Sequence, residues 1–313
     1  MTKVFIDGSA GTTGLRLHQR LSKRIDVELL EISENLRKEP SAVKELMQQA
    51  DFTFLCLPDA AAIEAAKLAD GLKTRIIDTS TAHRTSPDWA YGFPELSKEH
   101  RRRIESSRLV ASPGCHASGF ISLVAPLISA GVLQKSSLLS CTSLTGYSGG
   151  GKKMIADYES AERKNELKSP YEYAMGQSHK HLPEMLCQCS LDFAPVFMPI
   201  VGDFYAGMLV SIPLHLSQLN KISSLSELRE LYKAHYAGAA LIKVMDSEPT
   251  ALYAGSLAGR DDMKIFVTGS DERIVLCSLF DNLGKGASGA ALECFNLMCG
   301  LPEETGLVAG STV

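Results

Sequence analysis

The sequence predicts a two-domain α/β protein: an amino-terminal Rossmann-like, doubly wound parallel sheet, then an α+β domain built on a mostly antiparallel sheet. Three observations predict it. Strand-like and helix-like runs alternate along the amino-terminal part of the chain, a glycine loop separates the first strand from the first helix, and beyond a central helix the pattern changes to longer strands.

The first strand is Lys3-Val4-Phe5-Ile6, and Asp7-Gly8-Ser9-Ala10-Gly11-Thr12-Thr13-Gly14 follows it before a helical run through Leu15, Leu17 and Leu21. Gly8, Gly11 and Gly14 give G-x-x-G-x-x-G rather than G-x-G-x-x-G, but the physics is shared: bare backbone lets a pyrophosphate approach the amides of a helix start. Gly8, Gly11, Thr12, Thr13 and Gly14 are therefore candidate cofactor contacts, the competing reading being a tight structural turn. The second strand, Val27 to Ile32, ends in Ser33-Glu34-Asn35-Leu36-Arg37-Lys38. Ser33 with Arg37 and Lys38 suits a 2′-phosphate and favours NADP over NAD, while Glu31 and Glu34 pull the other way.

The alternation continues with a helix over Ser41 to Gln49, a strand Phe52 to Leu57, a helix Asp59 to Ala69 and a strand Arg75 to Asp78. In parallel sheets ligands bind beyond the strand carboxyl ends, so Asp78-Thr79-Ser80-Thr81-Ala82-His83-Arg84 is expected at the crevice. Asp78 serves there or only caps a turn. Arg84, among small hydroxyl residues, suits an anion.

Val110 to Gly119 surrounds Cys115: Pro113 and Gly114 make a sharp turn, and Ile121, Val124, Leu127 and Ile128 recur at helical spacing. A cysteine where a turn opens a helix meets outward-pointing amides and the positive end of the dipole, which favour a thiolate. The bland reading is a packing cysteine. Further on, strands are expected at Ser137 to Thr145, Asp192 to Pro199, Ala206 to Leu216, Lys264 to Gly269 and Ile274 to Leu279, with a final helix from Ala287 through Met298. The loop Ser148-Gly149-Gly150-Gly151-Lys152 reads as a flexible turn or as a backbone-rich phosphate site of substrate or cofactor. His179-Lys180-His181 offers the acid and base that a cysteine nucleophile needs. With Cys187-x-Cys189 it also raises zinc, but C-x-C is not the usual zinc spacing, and no metal is expected.

Composition narrows the function classes. The 313 residues are 45 % hydrophobic and 22 % charged, enough for more than one core. A net charge of −4, with Arg101-Arg102-Arg103 as the longest basic run and best read as a solvated helix face, argues against nucleic acid or a membrane surface as main partner. Neither a secretory leader nor an apolar stretch long enough to span a bilayer is expected. Eight scattered cysteines make no disulfide framework and fit a reducing, cytoplasmic setting.

The chain resembles the short form of the N-acetyl-γ-glutamyl-phosphate reductases, within the wider family that includes aspartate-semialdehyde and glyceraldehyde-phosphate dehydrogenases. The resemblance runs nearly end to end: the Gly8 to Gly14 loop, Ile77 to Arg84, Tyr91-Gly92-Phe93-Pro94-Glu95-Leu96, Ser112-Pro113-Gly114-Cys115, Gly146 to Lys152, His179-Lys180-His181-Leu182-Pro183-Glu184 and Asp281 to Ala287. His116 and the Thr-Ala-His-Arg wording before and at Arg84 depart from the longer members. The resemblance implies an NADP-binding domain over 1–115, a catalytic, substrate and dimerisation domain over 116–283, and a carboxyl-terminal helix over 284–313 that returns to the first. It implies NADPH-dependent reduction of a small acyl phosphate to N-acetyl-glutamate 5-semialdehyde through a thioester on Cys115, with His181 or His179 as acid and base. Ser148, Gly149 and Asn282 would join the cofactor site, Ser80, Arg84 and Lys152 the substrate site, and the chain would form a homo-oligomer. The rival readings are a relative acting on another acyl phosphate, such as aspartyl phosphate, and a silent NADP-binding redox sensor.

Overall fold

The computed structural model describes residues 1–310, which divide into two compact units: 1–113 with 287–307, and 114–286 with 308–310. In the first unit the chain runs β1 (Thr2–Asp7), α1 (Thr12–Leu21), β2 (Val27–Leu30), α2 (Pro40–Gln49), β3 (Phe52–Leu55), α3 (Asp59–Leu68), β4 (Arg75–Asp78), β5 (Ala90–Tyr91), α4 (Lys98–Ser106) and β6 (Leu109–Ala111). The second unit holds α5 (Cys115–Ser129), β7 (Ser140–Gly146), α6 (Gly151–Glu159), β8 (Tyr171–Glu172), α7 (Leu182–Gln188), β9 (Val196–Gly202), β10 (Met208–His215), α8 (Leu225–His235), β11 (Ile242–Val244), β12 (Met263–Gly269) and β13 (Arg273–Phe280). A π turn over Gly284–Ser288 leads into α9 (Gly289–Met298), which belongs to the first unit.

The six strands of the first unit lie in the order β2-β1-β3-β4-β6-β5 and every pairing is parallel. Strand alternation sends Val4 and Ile6 to one face and Phe5 to the other. The first face packs with Leu17 and Leu21 of α1, Ile104 of α4 and Leu292 and Phe295 of α9, the second with Val43 and Met47 of α2 and Ala65 of α3. The sheet is doubly wound, as expected. Arg75 ties α9 down by donating to the Met298 carbonyl at its end. Leu15, counted in the apolar run of α1, instead points outward at 47 % exposure.

The seven strands of the second unit run β11-β12-β13-β10-β7-β9-β8. The sheet is mostly antiparallel, but β11 pairs parallel with β12 and β7 parallel with β9. The strand expected from Asp192 begins only at Val196, because Pro195 has no N–H to give to a ladder. The last helix becomes regular only at Gly289, two residues later than the sequence suggests. Among the described residues, no helix is long and apolar enough to cross a membrane.

Helix α5 lies against β10, β13, α7 and α8, and its close seat on the sheet depends on Gly119. A Cβ there would stand 2.3 Å from Val210 Cγ2 and 3.0 Å from Ser278 Oγ, while the Gly119 carbonyl accepts from Ser278 Oγ at 3.2 Å. Alanine gains about 1 kcal/mol of helix propensity over glycine, but forcing a methyl into a filled core costs about 1–3 kcal/mol. Gly119→Ala is therefore expected to lower the urea midpoint of unfolding. An unchanged or raised midpoint would show that the helix has room to shift.

Candidate active site

In the parallel sheet the loops after β1, β2, β3 and β4 leave from one edge. Gly8 has φ +86°, and a Cβ on it would sit 2.3 Å from the Cys56 carbonyl oxygen; a Cβ on Gly14 would sit 2.3 Å from the Gly8 oxygen. The loop thus folds against the end of β3 and against its own helix in a way that only glycine permits. Helix α1 is capped by Gly11 with no side-chain hydrogen bond, so the amides of Thr12, Thr13 and Gly14 have no intrahelical acceptor. This bare cradle, half-buried at Thr12 and Thr13, fits a pyrophosphate. Burial pushes the Asp7 carboxyl up to about 6, with the Gly8 N–H opposing. After β2, Ser33, Arg37 and Lys38 are all exposed on one turn, and Arg37 also meets Glu34 at 3.4 Å. Cations and a hydroxyl at that edge fit a ribose phosphate.

The segment after β4 is a closed turn around Asp78. The buried carboxylate accepts from the Ser80 N–H at 2.9 Å and the Ser80 hydroxyl at 2.7 Å, and lies 2.6 Å from His83 Nδ1. His83 stacks on Trp89 at 4.0 Å. Asp78 is thus the turn cap, the second of the two readings. Arg84, 7 % exposed, donates Nε to the Ser112 carbonyl at 2.8 Å and Nη2 to the Thr79 carbonyl at 2.9 Å. Ser80 and Arg84, both expected at the substrate, are engaged in holding their own unit together, with the guanidinium fixing the strand-end segment that leads to Pro113.

Cys115 is the first residue of α5, half-buried, and Gly114 caps the helix without a side-chain bond. The amides of His116 and Ala117 lie in the first turn and have no intrahelical acceptor. The Gly114 N–H donates to the buried carboxylate of Glu184 at 2.8 Å, which joins the start of α5 to α7. Gly286 keeps space beside the thiol: a Cβ there would come within 2.8 Å of Cys115 Cβ.

The residues before α7 gather in the same unit. The rings of His116, His179 and His181 stand 4.9 to 5.6 Å apart, centre to centre. His116 is buried, with Nδ1 2.7 Å from Ser143 Oγ and Nε2 3.0 Å from the Tyr173 hydroxyl. That hydroxyl is 3.4 Å from His179 Nε2, and the His181 N–H donates to His179 Nδ1 at 3.2 Å. Burial, then the neighbouring charges of His179 and Lys180, push His116 down to about 3; burial, then Lys180, push His179 down to about 4. Both rings are neutral near pH 7. Burial, and after it the charge of Cys115, raise the Tyr173 hydroxyl, so the thiol and the phenol are electrostatic neighbours. Elsewhere burial lifts the Cys56 thiol to about 12 and Cys299 to about 11 and pushes Cys141 and Cys189 up as well, which leaves them inert. Among the described residues, no group of three His, Cys, Asp or Glu side chains could hold a metal ion.

Ser148 is buried, and its hydroxyl accepts from Asn282 Nδ2 at 3.0 Å, while Asn282 Oδ1 accepts from the Gly207 N–H at 2.8 Å. Asn282 thereby holds the loop that precedes α6. Gly149 on that loop and Lys152 in the first turn of α6 are exposed, so the expected loop over Ser148 to Lys152 runs into a helix start.

Sequence reasoning assigned no role to His116, Tyr173, Ser143, Glu184 or Gly286. Glu184 had a signal, a carboxylate in the first turn of a Pro-started helix. So did Gly286, in the spacing Gly284-Lys285-Gly286. Tyr173 had none, because only the pairing of β8 with β9 carries it to the histidines.

Comparison with known proteins agrees with this architecture. Residues 3–104 match the NAD-binding domain of semialdehyde dehydrogenases, and residues 115–282 match the semialdehyde dehydrogenase dimerisation domain. N-acetyl-gamma-glutamyl-phosphate reductases of Brucella ovis and Brucella suis biovar 1 are each 45 % identical over 306 residues, covering 95 % of this chain and 99 % of theirs. Solved aspartate semialdehyde dehydrogenases share the fold: that of Francisella tularensis with TM-score 0.72 over 96 % of this chain and 100 % of its own, and that of Vibrio cholerae, type II, with TM-score 0.71 over 96 % and 98 %, each at 14 % identity. The chain belongs to the semialdehyde dehydrogenase family, in its N-acetyl-gamma-glutamyl-phosphate reductase branch.

Proposed function

We propose that the chain reduces N-acetyl-γ-glutamyl phosphate to N-acetyl-glutamate 5-semialdehyde, a step of arginine biosynthesis, with NADPH as reductant and Cys115 as nucleophile. The observation that carries this reading is Cys115 at the opening of α5, in one compact unit with His116, His179 and His181. The relatives at 45 % identity support the substrate by their names.

The chemistry follows from the placement. Amides at the start of α5 favour the thiolate of Cys115. It attacks the acyl carbon, the C–O bond to phosphate breaks, and a thioester on Cys115 results. The exposed ammonium of Lys152, beside the Gly149 to Gly151 backbone, receives the phosphate. Gly8, Gly11, Thr12, Thr13, Gly14 and Ser33 would hold NADPH, which when bound would supply the hydride equivalent for reduction of the acyl carbon. The first-turn amides of α5 hold the oxyanion, and His181 or His179 manages its proton. Expulsion of the Cys115 thiolate frees the aldehyde. Asn282 keeps Ser148 and Gly149 in place within the second unit, and Ser80 and Arg84 keep the strand-end turn in place within the first. The dimerisation-domain match supports a homo-oligomer, and eight free cysteines support a reducing cytoplasm.

The reverse assay, with N-acetyl-glutamate semialdehyde, phosphate and NADP, is expected to produce reduced nicotinamide, and aspartate semialdehyde in its place is expected to give far less. Cys115→Ala should abolish turnover while NADP binding, read by calorimetry, stays close to wild type; residual reduction by the variant would refute the thioester route. Arg37→Ala with Lys38→Ala should raise the NADPH KM by about 10- to 100-fold, since a charge-assisted contact is worth about 1.5–3 kcal/mol, and leave the NADH KM unchanged.

A further inference from the structure

We propose that Ser143, His116, Tyr173 and His179 form a one-directional hydrogen-bond chain that positions His181 at the start of α7, with its polarity set by the His181 backbone N–H. The inference rests on the reductase reading and deepens it, by separating the two histidines into different tasks.

The direction follows from donors and acceptors alone. The His181 backbone N–H can only donate, and it points at His179 Nδ1, 3.2 Å away. That nitrogen must carry a lone pair, so the proton of neutral His179 sits on Nε2. Nε2–H then donates to the Tyr173 hydroxyl at 3.4 Å. The hydroxyl gives its own proton to the remaining partner, His116 Nε2, at 3.0 Å. His116 in turn carries its proton on Nδ1 and donates it to Ser143 Oγ at 2.7 Å. One backbone amide thereby specifies two imidazole tautomers and a hydroxyl rotor. The depressed pKa values of both imidazoles keep them neutral, which such a chain requires.

The scaffold around the chain is rigid. Ser143 on β7 is fully buried and His116 is 3 % exposed. Phe197 of β9 packs edge-on against both His116 and His179, at 5.4 and 5.1 Å. The loop between Tyr173 and His179 has left-handed backbone at Ala174 and Gln177, each with φ 54°, a conformation non-glycine residues adopt only when held there. Gln177 supplies the hold, donating to the Phe197 carbonyl and accepting from the Phe197 N–H, both at 2.8 Å. His179 thus has both ring nitrogens occupied and is a positioning residue. His181, seated by its backbone on His179 at the N-cap of α7, is the acid and base.

Nitrogen-15 NMR of protein labelled at histidine reads the tautomers directly, with His116→Asn and His179→Asn used to assign the signals. The expected result is Nε2–H on His179 and Nδ1–H on His116, and in Tyr173→Phe the loss of a single tautomer at His116. Tyr173→Phe should also lower kcat by roughly 10- to 100-fold, the cost of a misplaced catalytic group, with KM within about twofold of wild type. Nε2–H on His116, or wild-type kcat in Tyr173→Phe, would overturn the proposal. If Tyr173→Phe does not fold, the wild-type tautomers decide alone. Absence of reductase turnover in the wild type would sink the functional reading and leave the tautomers readable.

Discussion

The hydrogen bond from the Gly114 N–H to the buried Glu184 carboxylate is the constraint on which the site depends. It joins the residue before Cys115 to the helix whose first turn follows His181, across 70 residues of sequence. Leaving a buried amide without an acceptor would cost about 1–3 kcal/mol. The bond gives an acceptor to a buried donor at the residue before Cys115.

Missing side chains shape the rest. Gly8 and Gly14 bring backbone to backbone in the cofactor loop, Gly119 lets α5 lie on its sheet, and Gly286 leaves room beside Cys115. In each case a Cβ would stand under 3.0 Å from its neighbour. At these places main-chain groups approach more closely than any side chain would allow.

Much of this was legible in the sequence. The β1-loop-α1 unit, the strand Arg75–Asp78 and the helix opening at Cys115 carry strong local signals of hydrophobic period, glycine and proline. What was not legible depends on distant pairing. Nothing local shows that β7 and β9 run parallel, that the short β8 places Tyr173 beside His116, or that Arg84 turns to the Ser112 and Thr79 carbonyls. An arginine among hydroxyl residues reads the same whether it holds an anion or a carbonyl, because both present oxygen lone pairs. His116 stood next to Cys115 and drew no role, since its partners come from β7 and from the loop after β8.

The central claim is that Cys115 carries the acyl group. Wild-type protein mixed with N-acetyl-γ-glutamyl phosphate in the absence of reduced nicotinamide, quenched in acid and digested, tests it by mass spectrometry. The account predicts one N-acetyl-glutamyl group on the peptide that contains Cys115, removed by hydroxylamine as a thioester is. An unmodified Cys115 peptide, or an acyl group stable to hydroxylamine on another residue, would contradict it.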